Sequence, residues 1–338
     1  MFETDVFVIG GGPAGLSAAI ALRQRGLRVI VADGNTPPID KPCGEGLLPD
    51  ARAAAQRVGI QIPETIGCEF RGVRFHGERH QVEADFPGGR GIGVRRTALH
   101  RLLIQAAERA GVDLRWDTPV SRFADIRARW VVGADGAASR VRKEAGLEAS
   151  AWNLRRFAYR RHFAIAPWTD CMEIYWGERS QIYITPVSTS EICVAVISRE
   201  AGLRVEEVIA RGFPELRERL AGVAAVSAER GASTASRRLR HVTRGNVALI
   251  GDASGSVDAI TGEGICLSFK QAALLAEAMA AGGLQRYERE HPGIARKAHV
   301  MTRVMLLLDR GPMARRLGLS AMQMQPWIFR RLLATHVA

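Results

Sequence analysis

Residues 5 to 33 constrain the fold of this chain more than any other stretch. An apolar run, Asp5 to Ile9, leads into Gly10-Gly11-Gly12-Pro13-Ala14-Gly15, and an alanine-rich segment follows from Leu16 to Gly26. A second apolar run, Leu27 to Ala32, ends on Asp33. The pattern reads as strand, turn, helix, strand. Gly10 makes the tight turn, Gly12 lets a pyrophosphate approach the backbone, and Gly15 lets the helix pack close to the strand. Pro13 and Ala14 belong to the turn, and the helix that follows points its N-terminal N–H groups at the phosphates. Asp33 stands where a carboxylate takes the adenosine ribose hydroxyls. A glycine pattern alone says little, but these parts in this order define a dinucleotide site.

Composition bounds the rest. A chain of 338 residues, 47% hydrophobic and 24% charged, excludes disorder, collagen-like repeats and a disulfide scaffold. The length predicts two domains, or one domain with a large insertion. Cysteines at 43, 68, 171, 193 and 266 show neither metal spacing nor a disulfide framework, so no metal is expected. Apolar runs such as Val304 to Leu308 fall far short of the roughly 20 residues that span a bilayer. The opening segment is strand-like rather than a basic and apolar leader, so a reduced, cytoplasmic setting is expected. The net charge of +12 is nearly all arginine, with lysine only at 41, 143, 270 and 297. That skew reflects GC-rich coding more than a nucleic-acid surface. RNA-binding aromatic signatures and zinc-finger spacings are absent, and no nucleic-acid partner is expected. Arg155-Arg156, Arg160-Arg161 and Arg237-Arg238-x-Arg240 are candidate anion sites.

NAD(P) and FAD both fit an acid after the second strand, and two later segments bear on the choice. Val131 to Arg142 is a buried strand running into an Asp135-Gly136 turn. Asn246 to Ala253 is another, carrying Gly251-Asp252, and Gly262-Glu263-Gly264 follows before a helix from Ile265 to Ala281. The three segments resemble the GxGxxG, DG and GD motifs of flavoprotein hydroxylases, geranylgeranyl reductases and flavin halogenases, which share the p-hydroxybenzoate hydroxylase-like fold. The resemblance spans residues 1 to 285 and implies FAD as cofactor. It implies an α/β architecture: a Rossmann-like FAD-binding domain, an inserted, mostly antiparallel substrate sheet, and C-terminal helices. The expected division gives 1–69, 95–150 and 240–290 to FAD, 70–94 and 151–239 to substrate, and 291–338 to the tail.

The resemblance also implies roles. Gly251 and Asp252 match the pair whose carboxylate takes hydroxyls of the ribityl chain. Gly262, Glu263, Gly264 and Ile265 match the loop and helix start laid against the flavin, where the helix dipole favours negative charge. Arg96 matches an arginine that contacts FAD, and Asp135 the DG aspartate between FAD and the nicotinamide route. Cys43 and Gly44, within Lys41-Pro42-Cys43-Gly44-Glu45-Gly46-Leu47-Leu48-Pro49, are expected beside the isoalloxazine ring. Cys43 and Glu263 are the candidate catalytic groups. The Lys-x-Cys-Gly core of that segment resembles the geranylgeranyl reductases, and Gly-Glu-x-Leu-Leu-Pro the halogenases. The halogenase Trp-x-Trp-x-Ile-Pro stretch is not kept: Gln181-Ile182-Tyr183-Ile184-Thr185-Pro186 lacks both tryptophans, which disfavours halogenation. Where the family reads Asp-Pro before the flavin loop, this chain reads Asp258-Ala259, and a looser loop is expected.

Period-2 segments such as Phe157-x-Tyr159-x-Arg161-x-Phe163 predict substrate-sheet strands. His76, His80 and His162 read as satisfied sheet residues, and Tyr159, Tyr175 and Tyr183 as possible pocket liners. The methionine-rich tail predicts helices broken at Gly311-Pro312 and Gln325-Pro326. Docked helices, a lid over a lipophilic substrate and a peripheral membrane contact are its three readings, in that order. The first functional expectation is an NAD(P)H-using monooxygenase acting through a flavin C4a-hydroperoxide and O2 on a hydrophobic aromatic or polyketide-like molecule. Alternatives are a geranylgeranyl-reductase-like enzyme acting on C=C bonds, and an FAD electron carrier served by a reductase partner.

Overall fold

Short β-branched runs bounded by glycine form the central sheet. The computed structural model describes residues 2–78, 80–147 and 149–337. Strand Thr4–Ile9 is the middle of a six-stranded sheet, with Val29–Ala32 parallel on one side and Ala128–Gly133 parallel on the other. Asp113–Arg115 and Val247–Leu249 extend the two sides, again parallel, and Thr243–Arg244 closes one edge antiparallel. Valines and isoleucines alternate between two cores. Val6, Val8 and Val31 face helices Pro13–Gln24, Arg96–Arg109 and Gly264–Ala280, while Phe7, Ile9 and Ile30 face a smaller cluster around Val141 and Leu147. A sheet buried on both faces demands this. The chain leaves the middle strand toward one side and returns on the other. The crevice at its carboxyl end is therefore the switch point at which such sheets bind ligands.

A seven-stranded sheet forms the second layer. Its order is Arg230–Leu239, Ala149–Phe163, Ile192–Ser198, Ser180–Pro186, Cys171–Trp176, Gly72–His76 and Gln81–Asp85. Every pair is antiparallel except Cys171–Trp176 with Gly72–His76. The strand period of two splits its side chains between two cores. Ile174, Trp176 and Tyr183 face the C-terminal helices, and Tyr175, Ile182 and Ile184 face helices Val205–Gly212 and Pro214–Arg219. A three-stranded sheet of Gly46–Leu47, Gly91–Gly93 and Cys68–Phe70 bridges the layers. The bridge is tight: a Cβ on Gly93 would lie 1.8 Å from the Pro186 carbonyl oxygen.

The tail forms helices Arg296–Leu308, Pro312–Met324 and Pro326–Val337, broken at the two expected prolines. They pack on one another and on strand Gln81–Asp85. The first helix begins at Pro13 rather than Leu16, because a proline at the first helical position is already at helical φ.

Candidate active site

At the dinucleotide end, backbone approaches backbone. Gly10 sits at φ +112°, and a Cβ there would lie 2.4 Å from the Ala134 carbonyl oxygen. A Cβ on Gly15 would lie 1.9 Å from the Gly10 oxygen. A Cβ on Gly12, in contrast, would meet no other part of the protein within 4 Å. Gly12 caps helix Pro13–Gln24 with no side chain of its own, so its first N–H groups face that space. Asp33 lies at the end of the second strand, where Oδ2 accepts from Gly11 N at 2.7 Å and Oδ1 from Asn35 N at 2.9 Å. His100, fully buried, accepts from Ile39 N on Nδ1 at 3.1 Å. Its Nε2–H therefore donates to Gly11 O, at 2.8 Å, and burial keeps the ring neutral by lowering its pKa. No motif announced this brace of the turn.

The second end of the cleft meets the first. Gly251 lies against Ala14, so closely that a Cβ on it would stand 2.6 Å from the Ala14 Cβ, and its N–H donates to Gln271 Oε1 at 2.7 Å. Asp252 is exposed to solvent; crowding by the surrounding protein raises its pKa, and Lys41, Arg142 and Arg237 pull it back down. Asp135 is used locally: Oδ1 accepts from Ser139 Oγ at 2.5 Å and Oδ2 from Arg140 N at 2.6 Å, capping helix Arg140–Glu144.

The segment Asp258 to Gly262 is pinned despite the missing proline. Asp258 accepts from Ile260 N at 3.1 Å and from the buried Arg156 Nε at 3.1 Å, while Tyr183 Oη donates to Ile260 O at 2.7 Å. Gly262 turns the chain through φ +69°, and Gly264 and Ile265 begin helix Gly264–Ala280. Glu263 is buried beside His336, with Nδ1 to Oε2 3.5 Å. Burial and the nearby Asp50 charge raise Glu263 to about 8, and burial lowers His336 to about 4. At neutral pH the contact is thus a carboxylic acid facing a neutral imidazole, not an ion pair.

In the Lys41–Pro49 segment, burial raises the Cys43 thiol, which stays protonated and accepts from Glu45 N at 3.3 Å. Glu45 is fully buried at φ +60°. Its Oε1 accepts from Arg96 N at 2.9 Å, and its Oε2 from His162 Nε2 at 2.6 Å. His162 Nδ1 accepts from Arg160 Nη1 at 3.2 Å, which fixes the Nε2–H tautomer. Cys193 brings its sulfur to the same cluster, but burial pushes that thiol well up, and Arg160 Nε lies 3.7 Å from Glu45. A neutral thiol beside a balanced carboxylate suits an ionic network better than a metal.

Between the flavin-loop segment and the C-terminal helices lies an apolar pocket. Gly44, Glu45, Gly46, Ile260, Thr261 and Gly262 form one wall. Phe75, Ile174, Met172, Met305, Phe329 and Leu333 supply much of the rest, and His336 reaches it from the last helix. Tyr183 lines it as expected, whereas Tyr175 stacks on His76 and Tyr159 Oη accepts from Gly202 N at 2.7 Å, both packed away from the pocket.

The residues present fit FAD on the structure's own terms. The bare helix N-terminus at Gly12 leaves room for a pyrophosphate, and buried Arg96 carries an Nη1 with no partner among the described residues. Adding the carboxyl of Asp252, the donor set is that of a flavin nucleotide cleft. Such a cleft beside an apolar pocket defines a flavin-dependent oxidoreductase. The chain belongs to the FAD binding domain family, which it matches over residues 3–125 and 121–285. It is 27% identical to a menaquinone reductase of Mycobacterium tuberculosis over 360 residues, covering 93% of this chain and 88% of that protein. A 3-(3-hydroxy-phenyl)propionate/3-hydroxycinnamic acid hydroxylase of Mycobacterium avium is 28% identical over 43% of this chain and 31% of its own length. Among solved structures, a flavin-dependent brominase superposes with a TM-score of 0.82 at 19% identity, covering 98% of this chain and 93% of the other. That likeness shows the fold alone.

Proposed function

We propose that this FAD-dependent oxidoreductase is a reductase, saturating a prenyl C=C bond or reducing a quinone ring of a lipophilic small molecule. The carrying observation is the pocket wall: aliphatic, methionine and aromatic side chains from three helices and a sheet, with few polar groups to orient a hydroxylated acid. Similarity to a menaquinone reductase over nearly the whole of both chains supports it. The monooxygenase expectation, drawn from the motif resemblance, finds support in a relative matched over only 43% of this chain, and it is the second reading.

Bound FAD would supply hydride transfer, and the protein's residues supply position and protons. Gly10, Gly12, Pro13, Ala14 and Gly15 would receive the pyrophosphate, Asp33 the ribose, Asp252 and Gly251 the ribityl chain, and Arg96 the flavin nucleotide's remaining negative charge. Gly44, Gly262, Gly264 and Ile265 would border the ring, with Cys43 as a neutral neighbour. Glu263 keeps its proton to about pH 8, and His336 beside it lines the pocket, so this pair can hand a proton to the reduced substrate. Helix Pro326–Val337 excludes water. In this reading residues 1–69, 95–150 and 240–290 hold the cofactor, 70–94 and 151–239 face the substrate, and 291–338 close the pocket. NAD(P)H is the proposed donor; with one dinucleotide crevice among the described residues, it docks transiently or a reductase partner replaces it.

The test incubates FAD-loaded protein with NADPH, or with dithionite, and a short-chain menaquinone without oxygen. A product heavier by two hydrogens is expected. A product heavier by one oxygen, formed only in air, would replace this reading with the monooxygenase. Flavin reduction with no altered substrate under either gas would favour the carrier.

A further inference from the structure

The described surface keeps few large apolar side chains exposed, and six of the eight lie on the three C-terminal helices. Val300, Leu307, Met313, Leu317, Met324 and Trp327 are 41% or more exposed, while only Phe2 and Val226 match them elsewhere. Met313, Leu317 and Met324 recur at helical spacing along one stripe of Pro312–Met324, and Val300 and Leu307 along one stripe of Arg296–Leu308. Scattered exposed apolar residues are ordinary, but a concentration on one helical layer marks an interaction surface.

Charge identifies the partner. From residue 296 onward the sequence has eight basic residues and a single acid, Asp309. That acid is buried against Arg156 at 2.8 Å and Arg199 at 2.5 Å, so it does not offset the exposed cations. Arg296, Arg303 and Arg310 share the stripe of Val300 and Leu307, and Arg316, Arg330 and Arg331 lie exposed on the other two helices. Two such faces placed together would bring like charges into contact, which disfavours a second copy as occupant. Apolar tips among arginines match a surface that is anionic outside and hydrocarbon beneath.

The first and last of these helices also frame an opening. Lys297, Val300, Trp327 and Arg331 surround a second hollow, which shares Met301, Val304, Leu332 and His336 with the apolar pocket. We propose that the three C-terminal helices rest on an anionic lipid surface, with this mouth turned toward the hydrocarbon. Docking stands on the surface alone; entry of substrate through the mouth rests on the reductase reading.

The experiment sediments the FAD-loaded full chain with vesicles of phosphatidylcholine, or of phosphatidylcholine with one quarter phosphatidylglycerol. Binding is expected on the anionic vesicles, to fall at high salt, and to weaken about fivefold for each of Arg316→Gln, Arg330→Gln and Arg331→Gln. Leu317→Asp/Met324→Asp should abolish it while FAD content and Tm stay at wild-type values. Equal binding to neutral vesicles, or unchanged binding by the aspartate variant, would overturn the proposal. So would a wild-type dimer that the aspartate variant splits, since the face would then be a self-interface. Substrate takes no part, so this assay and the turnover assay fail separately.

Discussion

Gly12 and Gly15, on either side of the first helical turn's start, do different work, and substitution separates them. Gly15→Ala drives a methyl into the Gly10 carbonyl and is expected to destabilise the apoprotein by about 1–3 kcal/mol. Gly12→Ala meets no protein atom, so apoprotein stability should hold within about 0.5 kcal/mol while FAD affinity falls about tenfold or more. Thermal melting without flavin, paired with FAD titration, reads both. The Glu263 and His336 pair gives a pH signature. A carboxyl raised from 4.5 to about 8 in the fold removes stability as pH climbs through that interval. An imidazole lowered from 6.5 to about 4 removes stability as pH drops through its own interval. The two oppose one another below pH 6.5, so the wild type should lose stability mainly from there to about 8, and Glu263→Gln should flatten that decline in denaturant titrations. The turn and close-packing tasks of Gly10 and Gly15 were legible because they are local to one turn. Glu45, His100 and His162 were not, because their partners lie 51, 89 and 117 residues away and only folding brings them together.

At the scale of elements, the segment from Asp258 to Gly262 shows how one constraint substitutes for another. The absent proline led to the expectation of a looser loop, yet the Asp258 cap, Arg156 and Tyr183 hold it from three sides. Tyr183→Phe removes the donor to Ile260 O and should cost about 1–3 kcal/mol by leaving a buried carbonyl unpaired. Faster release of FAD in the same variant would show that the anchor also shapes the cleft. Long periodic elements could be read from sequence: the dinucleotide helix, the alternating strands and the tail helices delimited by Pro312 and Pro326. The bridging sheet could not, since Gly46–Leu47 and Gly91–Gly93 are too short and glycine-rich to carry a period. Which face of the substrate sheet met the pocket was equally hidden, and Tyr159 and Tyr175 fall on the opposite one from Tyr183.

For the whole molecule, the proposed function has FAD held by residues near 10, 44, 96, 252 and 263, so cofactor binding should couple the layers. At a free FAD concentration a hundredfold above Kd, stabilisation of about 2.7 kcal/mol is expected, seen as a Tm several degrees above the apoprotein in one cooperative transition. Two separated transitions would show that the layers unfold independently. The family was legible because three motifs share one fold; the reaction was not, because a fold of this kind hosts several chemistries and the pocket wall is assembled by packing. The lysines carry a last consequence. Lys41 stands near Asp252 and Lys270 holds Asp50 at 2.7 Å, while Lys143 is exposed on helix Arg140–Glu144. In so arginine-rich a protein, amine-directed acylation becomes a footprint with an internal standard: occupancy of the cleft shields Lys41 and leaves Lys143 to report the reagent.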